Sequence, residues 1–234
     1  MRYLGGKNRQ SKHIASLIAE VSGGDYWEPF LGGGSVAAAV ARSGEFGTMH
    51  LSDAHLDLVL MWRALLDGWL PPEHVSDDEY QALKGAPSSA KRGFVGFACS
   101  FAGKWFGGYA RDCRGGDYAA IGARSLTKKV GPLREVGTVT FTYQGYDAVR
   151  PVAGDVLYLD PPYANTTGYS TAPFDSAAFW SWAQRHAERG VHVFVSEFTA
   201  PDGWVPVWSV NRTATADIHT TKSSTEHLYS WEGS

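Results

Sequence analysis

A carboxylate, two prolines and an aromatic ring stand together at Asp160-Pro161-Pro162-Tyr163. The residues before them, Gly154-Asp155-Val156-Leu157-Tyr158-Leu159, read as a short buried strand. The group therefore falls at a strand's carboxyl end, and in open α/β sheets ligands bind on that rim. Proline has no N–H to donate and restricts the residue before it. Two in succession make a stiff corner, with a carbonyl and a ring held at its edge. Asp and Pro are also ordinary turn residues, so the tetrapeptide alone reads equally as a strand-ending turn.

Other segments carry related chemistry. Tyr3 and Lys7 bracket the Gly5-Gly6 pair and offer a ring and a point charge. Asp25-Tyr26-Trp27-Glu28 reads as a strand that leads through Pro29, Phe30 and Leu31 into Gly32-Gly33-Gly34-Ser35 and a small-residue helix. A glycine-rich turn between strand and helix lets a ligand lie against backbone and helix amino terminus. Residues 48–53 read as a second strand, ending on Asp53. That acid follows Gly32 by about twenty residues, the spacing at which a carboxylate reaches a ribose diol. Glu28, at the first strand's end, suits the same task. Asp53 also suits a cap on a helix over 54–66. The pattern Gly32-x-Gly34-x-x-Ala37 fits the dinucleotide fingerprint too, so at this point an NAD-dependent dehydrogenase competes. Both readings lay a nucleoside over the first two strand ends.

The elements that position these groups alternate at the two flanks of the chain. Ile14, Leu17, Ile18 and Val21 recur at helical spacing before Gly23-Gly24. Residues 139–143 form a third strand, closing near Tyr146, whose ring can cover a flat ligand. Residues 156–159 are the fourth strand. A polar loop over 165–174 reads as a lid, Asp175 caps a helix to Gly190, and 191–195 is a fifth strand. Residues 205–210 and 227–231 are two last strands with little room for a crossover helix, so an antiparallel pair is expected.

The middle does not alternate. Short helices are expected over 77–83 and 91–102, broken by Pro71-Pro72 and by the turn at 86–89. Then Gly103-Lys104-Trp105-Phe106-Gly107-Gly108-Tyr109-Ala110-Arg111 interleaves rings with glycine and base. That mixture suits nucleic acid, with rings for bases and cations for phosphates, or a small insertion packing its own aromatics. Between Lys84 and Arg134 ten basic residues face only Asp112 and Asp117, a local charge of +8 in a chain of net −3. Lys91, Arg92, Lys104, Arg111, Arg114, Arg124, Lys128 and Lys129 are the candidate phosphate contacts.

Composition sets the outer limits. A chain of 234 residues with 44% hydrophobic content buries a full core, as one domain or as one domain with an insertion. Its apolar runs, such as 36–41 and 94–102, are too short to span a bilayer. The start lacks a signal peptide's apolar stretch, so a cytoplasmic location is expected. Cys99 and Cys113 have no metal or disulfide spacing, and no metal is expected. Cys99 reads as a core residue.

Taken in order, Tyr3-Leu4-Gly5-Gly6-Lys7, the run from Glu28 to Val36, Ser52-Asp53 and Asp160-Pro161-Pro162-Tyr163 resemble the motifs of the Dam-type DNA adenine methyltransferases. The likeness covers roughly residues 1–60 and 136–200. It gives the opening glycine pair and the tetrapeptide roles that a dehydrogenase does not. It implies an α/β, Rossmann-like class I methyltransferase sheet, mostly parallel with the last strand pair antiparallel. It implies a catalytic domain of residues 1–60 and 135–234 and an inserted, mainly helical target-recognition region at 61–134. It implies S-adenosylmethionine as cofactor and double-stranded DNA as partner, with a monomeric enzyme expected. Carried over residue by residue, Tyr3, Lys7, Glu28, Phe30, Gly32, Gly34, Ser35, Asp53, Tyr146 and Asp160 line the cofactor site. Asp160, Pro161, Pro162 and Tyr163 hold the target adenine. Residues 100–109 depart from the Asn-Arg and Phe-Asn-Gly pattern of GATC-reading members, so GATC recognition is not carried over. Transfer to the amino group of cytosine, RNA as the substrate, and a silent DNA-binding relic remain the alternatives.

Overall fold

The computed structural model describes residues 1–21, 23–111, 116–162, 174–217 and 220–232. In chain order the elements are α1 (Ser11–Ala19), β1 (Tyr26–Glu28), α2 (Ser35–Ser43), β2 (Thr48–Asp53), α3 (Leu56–Leu66), α4 (Asp77–Lys84), α5 (Ala90–Ala98) and α6 (Tyr118–Arg134). There follow β3 (Thr138–Tyr143), β4 (Val156–Leu159), α7 (Ser176–Ala187), β5 (His192–Glu197), β6 (Trp204–Asp217) and β7 (Thr220–Trp231). The seven strands form one sheet in the order β3-β2-β1-β4-β5-β7-β6. β1 and β4, β2 and β3, and β4 and β5 pair in parallel, while β7 runs antiparallel to both β5 and β6. This is the class I methyltransferase sheet. All four residues of β4 are buried, the continuous apolar run that a strand covered on both faces requires. The strand order reverses where β1 meets β4, and the carboxyl ends at such a switch point form the ligand-binding crevice of open α/β sheets.

Contacts divide the chain into two compact units. The first comprises Met1–Glu20 and Pro29–Val149. Its core gathers Trp62, Phe94, Phe97, Leu126 and the small-residue helix α2, in which Ala37 and Ala38 are fully buried. The expected insertion, 61–134, lies wholly within this unit. Helix α5 ends at Ala98 rather than continuing to 102, because the chain folds back there. Ser100 bridges to Tyr109, and the Ser100 hydroxyl bonds Tyr80 Oη at 2.8 Å. Phe106 is buried and Trp105 packs on Phe97 and His55. These two rings therefore pack within the first unit, while Phe101 stays 71% exposed.

The second unit comprises Val21–Glu28 and Arg150–Ser234. The buried Asp155 carboxylate organises its strand starts, accepting from Asp25 N at 2.9 Å, Trp27 Nε1 at 2.8 Å and Val152 N at 2.9 Å. Asp175 caps α7 by accepting from Ala178 N, as expected. β6 and β7 extend well beyond the segments expected from sequence, since antiparallel pairing continues through the polar residues that obscure alternation.

Candidate active site

In the first unit the site is built around the turn at the head of α2. Gly32 and Gly34 have φ of 45° and 58°, the left-handed region that glycine enters without strain. Leu31 N donates to Ser52 O at 3.0 Å and Gly34 N to Leu31 O at 2.8 Å, which ties the turn to the end of β2. A Cβ at Gly32 would lie 2.6 Å from Tyr3 Cε1, and one at Gly34 would lie 2.4 Å from Trp62 Cζ2. Trp62 Nε1 donates to Gly32 O at 3.0 Å. The sequence suggested that these glycines open the backbone to a ligand; the space beside them is filled by the chain's own rings. Tyr3 also packs on Phe97, with centroids 5.0 Å apart. Lys7 is buried, and its Nζ donates to Gly5 O.

Lys129 departs from its expected role. It is only 8% exposed, and its Nζ donates to Gly33 O at 2.6 Å and to Ser35 Oγ at 2.8 Å. Ser35 in turn donates to Asn8 Oδ1 at 2.9 Å. A cation so placed fixes the turn and the first residue of α2; it is not free to meet a phosphate. Its position was readable in principle, because Leu126, Lys129, Val130 and Leu133 share the buried face of α6. Lys129→Met is therefore expected to lower cofactor affinity and thermal stability while leaving the salt dependence of DNA binding unchanged. Calorimetric titration and DNA binding over a salt series check this, and a reduced salt slope would return Lys129 to the phosphate contacts.

Asp53 ends β2, and both its oxygens are engaged. Oδ2 accepts from Gly32 N at 2.8 Å and Oδ1 from His55 N at 2.9 Å. It thus joins strand end to glycine turn instead of capping the helix, whose N-cap is His55. Burial pushes its carboxyl up to about 6, against the two N–H donors that hold it down. A carboxylate offers about four lone-pair sites, so acceptor capacity remains for hydroxyl donors. Phe30 and Tyr146, both half-buried, stack with centroids 5.4 Å apart.

In the second unit Asp160 follows β4 directly and is half-buried, Pro161 is buried and Pro162 half-buried. Glu28, 2% exposed, accepts from Tyr26 Oη at 2.7 Å. Tyr158 Oη bonds Ser196 Oγ at 2.9 Å. Burial, then the Asp160 charge, drives the Tyr158 hydroxyl well above the usual tyrosine range. The Tyr26 hydroxyl rises through burial and Glu28. Both rings therefore stay neutral beside the carboxylates. Tyr163, Arg114, Cys113 and the expected lid as far as Pro173 lie outside the described residues.

The basic block divides by its partners. Arg92 bonds the buried Asp57 at 2.6 Å and lies 4.9 Å from the Trp105 ring centroid, so it too is a structural cation rather than an open phosphate contact. Lys91 pairs with Glu79, and Arg111 with Asp77 at 2.6 Å. Lys104, Arg124 and Lys128 are exposed. Exposed ion pairs contribute little to stability, but a carboxylate neighbour competes with an incoming phosphate.

Sheet order and the glycine turn before α2 are those of the class I methyltransferase fold. Residues 3–91 match the family described as D12 class N6 adenine-specific DNA methyltransferase. That match bears out the resemblance to the Dam-type adenine methyltransferases, and the chain is an enzyme of the methyltransferase kind. Comparison with curated proteins gives no match. Solved structures similar to the chain include an Escherichia coli protein assigned as a methyltransferase, at 11% identity and TM-score 0.41, covering 97% of this chain and 88% of that one. A Pyrococcus horikoshii protein assigned as an RNA methyltransferase is 8% identical with TM-score 0.44, over 95% and 81% of the two chains. A Haemophilus influenzae protein assigned as a methylase is 12% identical with TM-score 0.41, over 97% and 98%.

Proposed function

We propose that this chain transfers a methyl group from S-adenosylmethionine to the exocyclic amino group of a flipped-out adenine in duplex DNA. The observation that carries the reading is Asp160, followed by Pro161 and Pro162, at the carboxyl end of the buried strand β4. The cofactor, when bound, supplies a methyl group already activated on a sulfonium. What remains for the protein is to position reactants and ready the nucleophile; positioning alone can be worth about 7–11 kcal/mol. The adenine amino lone pair is delocalised into the ring. Asp160 accepts one of its N–H groups and the Pro161 carbonyl the other, which draws the nitrogen toward a tetrahedral shape. Once alkylated the nitrogen is a strong acid, and its proton leaves without a strong base. Flipping costs a few kcal/mol, and stacking on Tyr163 recovers about 1–3 kcal/mol.

The residues present fit the cofactor. Asp53, raised to about 6 and short of donors, takes the ribose hydroxyls. Phe30 and Tyr146 flank a flat ring. Residues 61–134 form the recognition region, with Phe101 and Lys104 on its surface. Ribose donors favour the ionised form of Asp53. Affinity for S-adenosylmethionine is therefore full above pH about 7 and falls as pH drops through 6. Isothermal titration from pH 5 to 8 checks this; an equal fall in Asp53→Asn would place the titration elsewhere. The reading as a whole is tested by offering labelled S-adenosylmethionine with unmethylated duplex DNA or single-stranded RNA. Label in the duplex is expected; label in RNA alone, or in neither, overturns it.

A further inference from the structure

A cleft of about 460 Å³ lies in the first unit between α1, α2 and α6. Its wall carries Lys12, Arg42, Arg124 and Lys128, with Lys129 among the lining residues and no carboxylate. Lys12 and Arg42 stand far outside the basic block in sequence. Lys12, Arg124 and Lys128 are exposed, and none has a carboxylate partner among the described residues. This separates them from Lys91, Arg92 and Arg111, which do. Arg42 is held in place, donating to Ala38 O at 3.2 Å and to Lys128 O at 2.8 Å. A guanidinium has five N–H donors, so others remain for a ligand.

We propose that this cleft seats backbone phosphates of the DNA substrate, a role that rests on the function proposed above. Exposed cations without counter-charges in a net acidic chain create a local positive field that attracts an anion. Their spread favours a polymer over a small phosphate. Arg124 and Lys128 are one turn apart on α6, about 6 Å along its axis, and Lys12 comes from a separate helix. A DNA strand presents a phosphate about every 3.4 Å of axial rise, so successive charges can be met at once. A lone phosphate needs donors that converge on one point.

The test is duplex binding by fluorescence anisotropy over a salt series, for the unmodified chain, Arg124→Glu/Lys128→Glu and Lys12→Gln. Melting by circular dichroism shows that each variant folds. The double variant is expected to bind at least about tenfold more weakly at 0.1 M salt, with the log–log salt slope reduced by about 1.8, or about 0.9 per lost phosphate. Lys12→Gln, which keeps the proposal testable if the double variant misfolds, is expected to lose about 0.9. Unchanged affinity and slope in folded variants, beside an unmodified chain that binds DNA, overturn the cleft alone. Thermal protection by inorganic phosphate with unchanged duplex binding also overturns it, in favour of a small-anion site. An unmodified chain that binds no duplex DNA, or prefers RNA, overturns the functional reading and the cleft together.

Discussion

Asp160→Ala is expected to lower methyl transfer by about 10²–10³-fold or more, the scale on which losing one preorganised electrostatic contact at the reacting group acts. The side chain is half-buried at the end of a strand whose own four residues are buried. Truncating it removes the acceptor proposed for the amino N–H without opening a core cavity. The melting temperature should therefore move by only a few degrees, at about 2–4 °C per kcal/mol for a chain of this size. Asp160→Asn keeps one acceptor oxygen but replaces the other with a donor, and is expected to be impaired as well. Single-turnover transfer at saturating cofactor separates chemistry from binding. A rate in Asp160→Ala equal to that of the unmodified chain would remove Asp160 from the mechanism.

Gly34→Ala is the substitution expected to damage the fold most. The residue sits at φ 58°, and an added Cβ would meet the Trp62 indole at 2.4 Å. Left-handed backbone costs an L-residue about 1–2 kcal/mol, and forcing a methyl into a packed site about 1–3 kcal/mol. A loss of about 2–5 kcal/mol lowers the melting temperature by roughly 4–20 °C. Cofactor affinity should fall with it, because Trp62 also holds the Gly32 carbonyl. Gly44→Ala is the control. Its φ is 77° but nothing lies within 4 Å of its Cβ, so only the conformational cost applies. Equal thermal shifts for the two variants would show that packing against Trp62 does not set the turn.

Some of the candidate site's local geometry was legible because local patterns carried it. The run of apolar residues before Asp160 marked β4, and the spacing from Gly32 to Asp53 placed a carboxylate beside the turn. What could not be read was which distant side chain fills which space. Tyr3 and Trp62 reach the glycines from 29 and 28 positions away, and Lys129 reaches Gly33 from 96. Local glycine content announces close approach but not what approaches. Charge counting erred for a similar reason. It gave Arg92 and Lys129 the same weight as Arg124, although one neutralises a buried aspartate and the other is inside the turn. The interleaved rings at 103–111 misled because Phe106 belongs to the core that its own segment closes.

The central claim is the identity of the methylated atom. The direct measurement is mass spectrometry of nucleosides from DNA of a host lacking adenine methylation, with the unmodified chain or Asp160→Ala expressed. The account predicts N6-methyldeoxyadenosine with the unmodified chain and its loss with Asp160→Ala. Methyl groups on cytosine N4 instead, or no modified nucleoside from a folded and cofactor-binding chain, would contradict it.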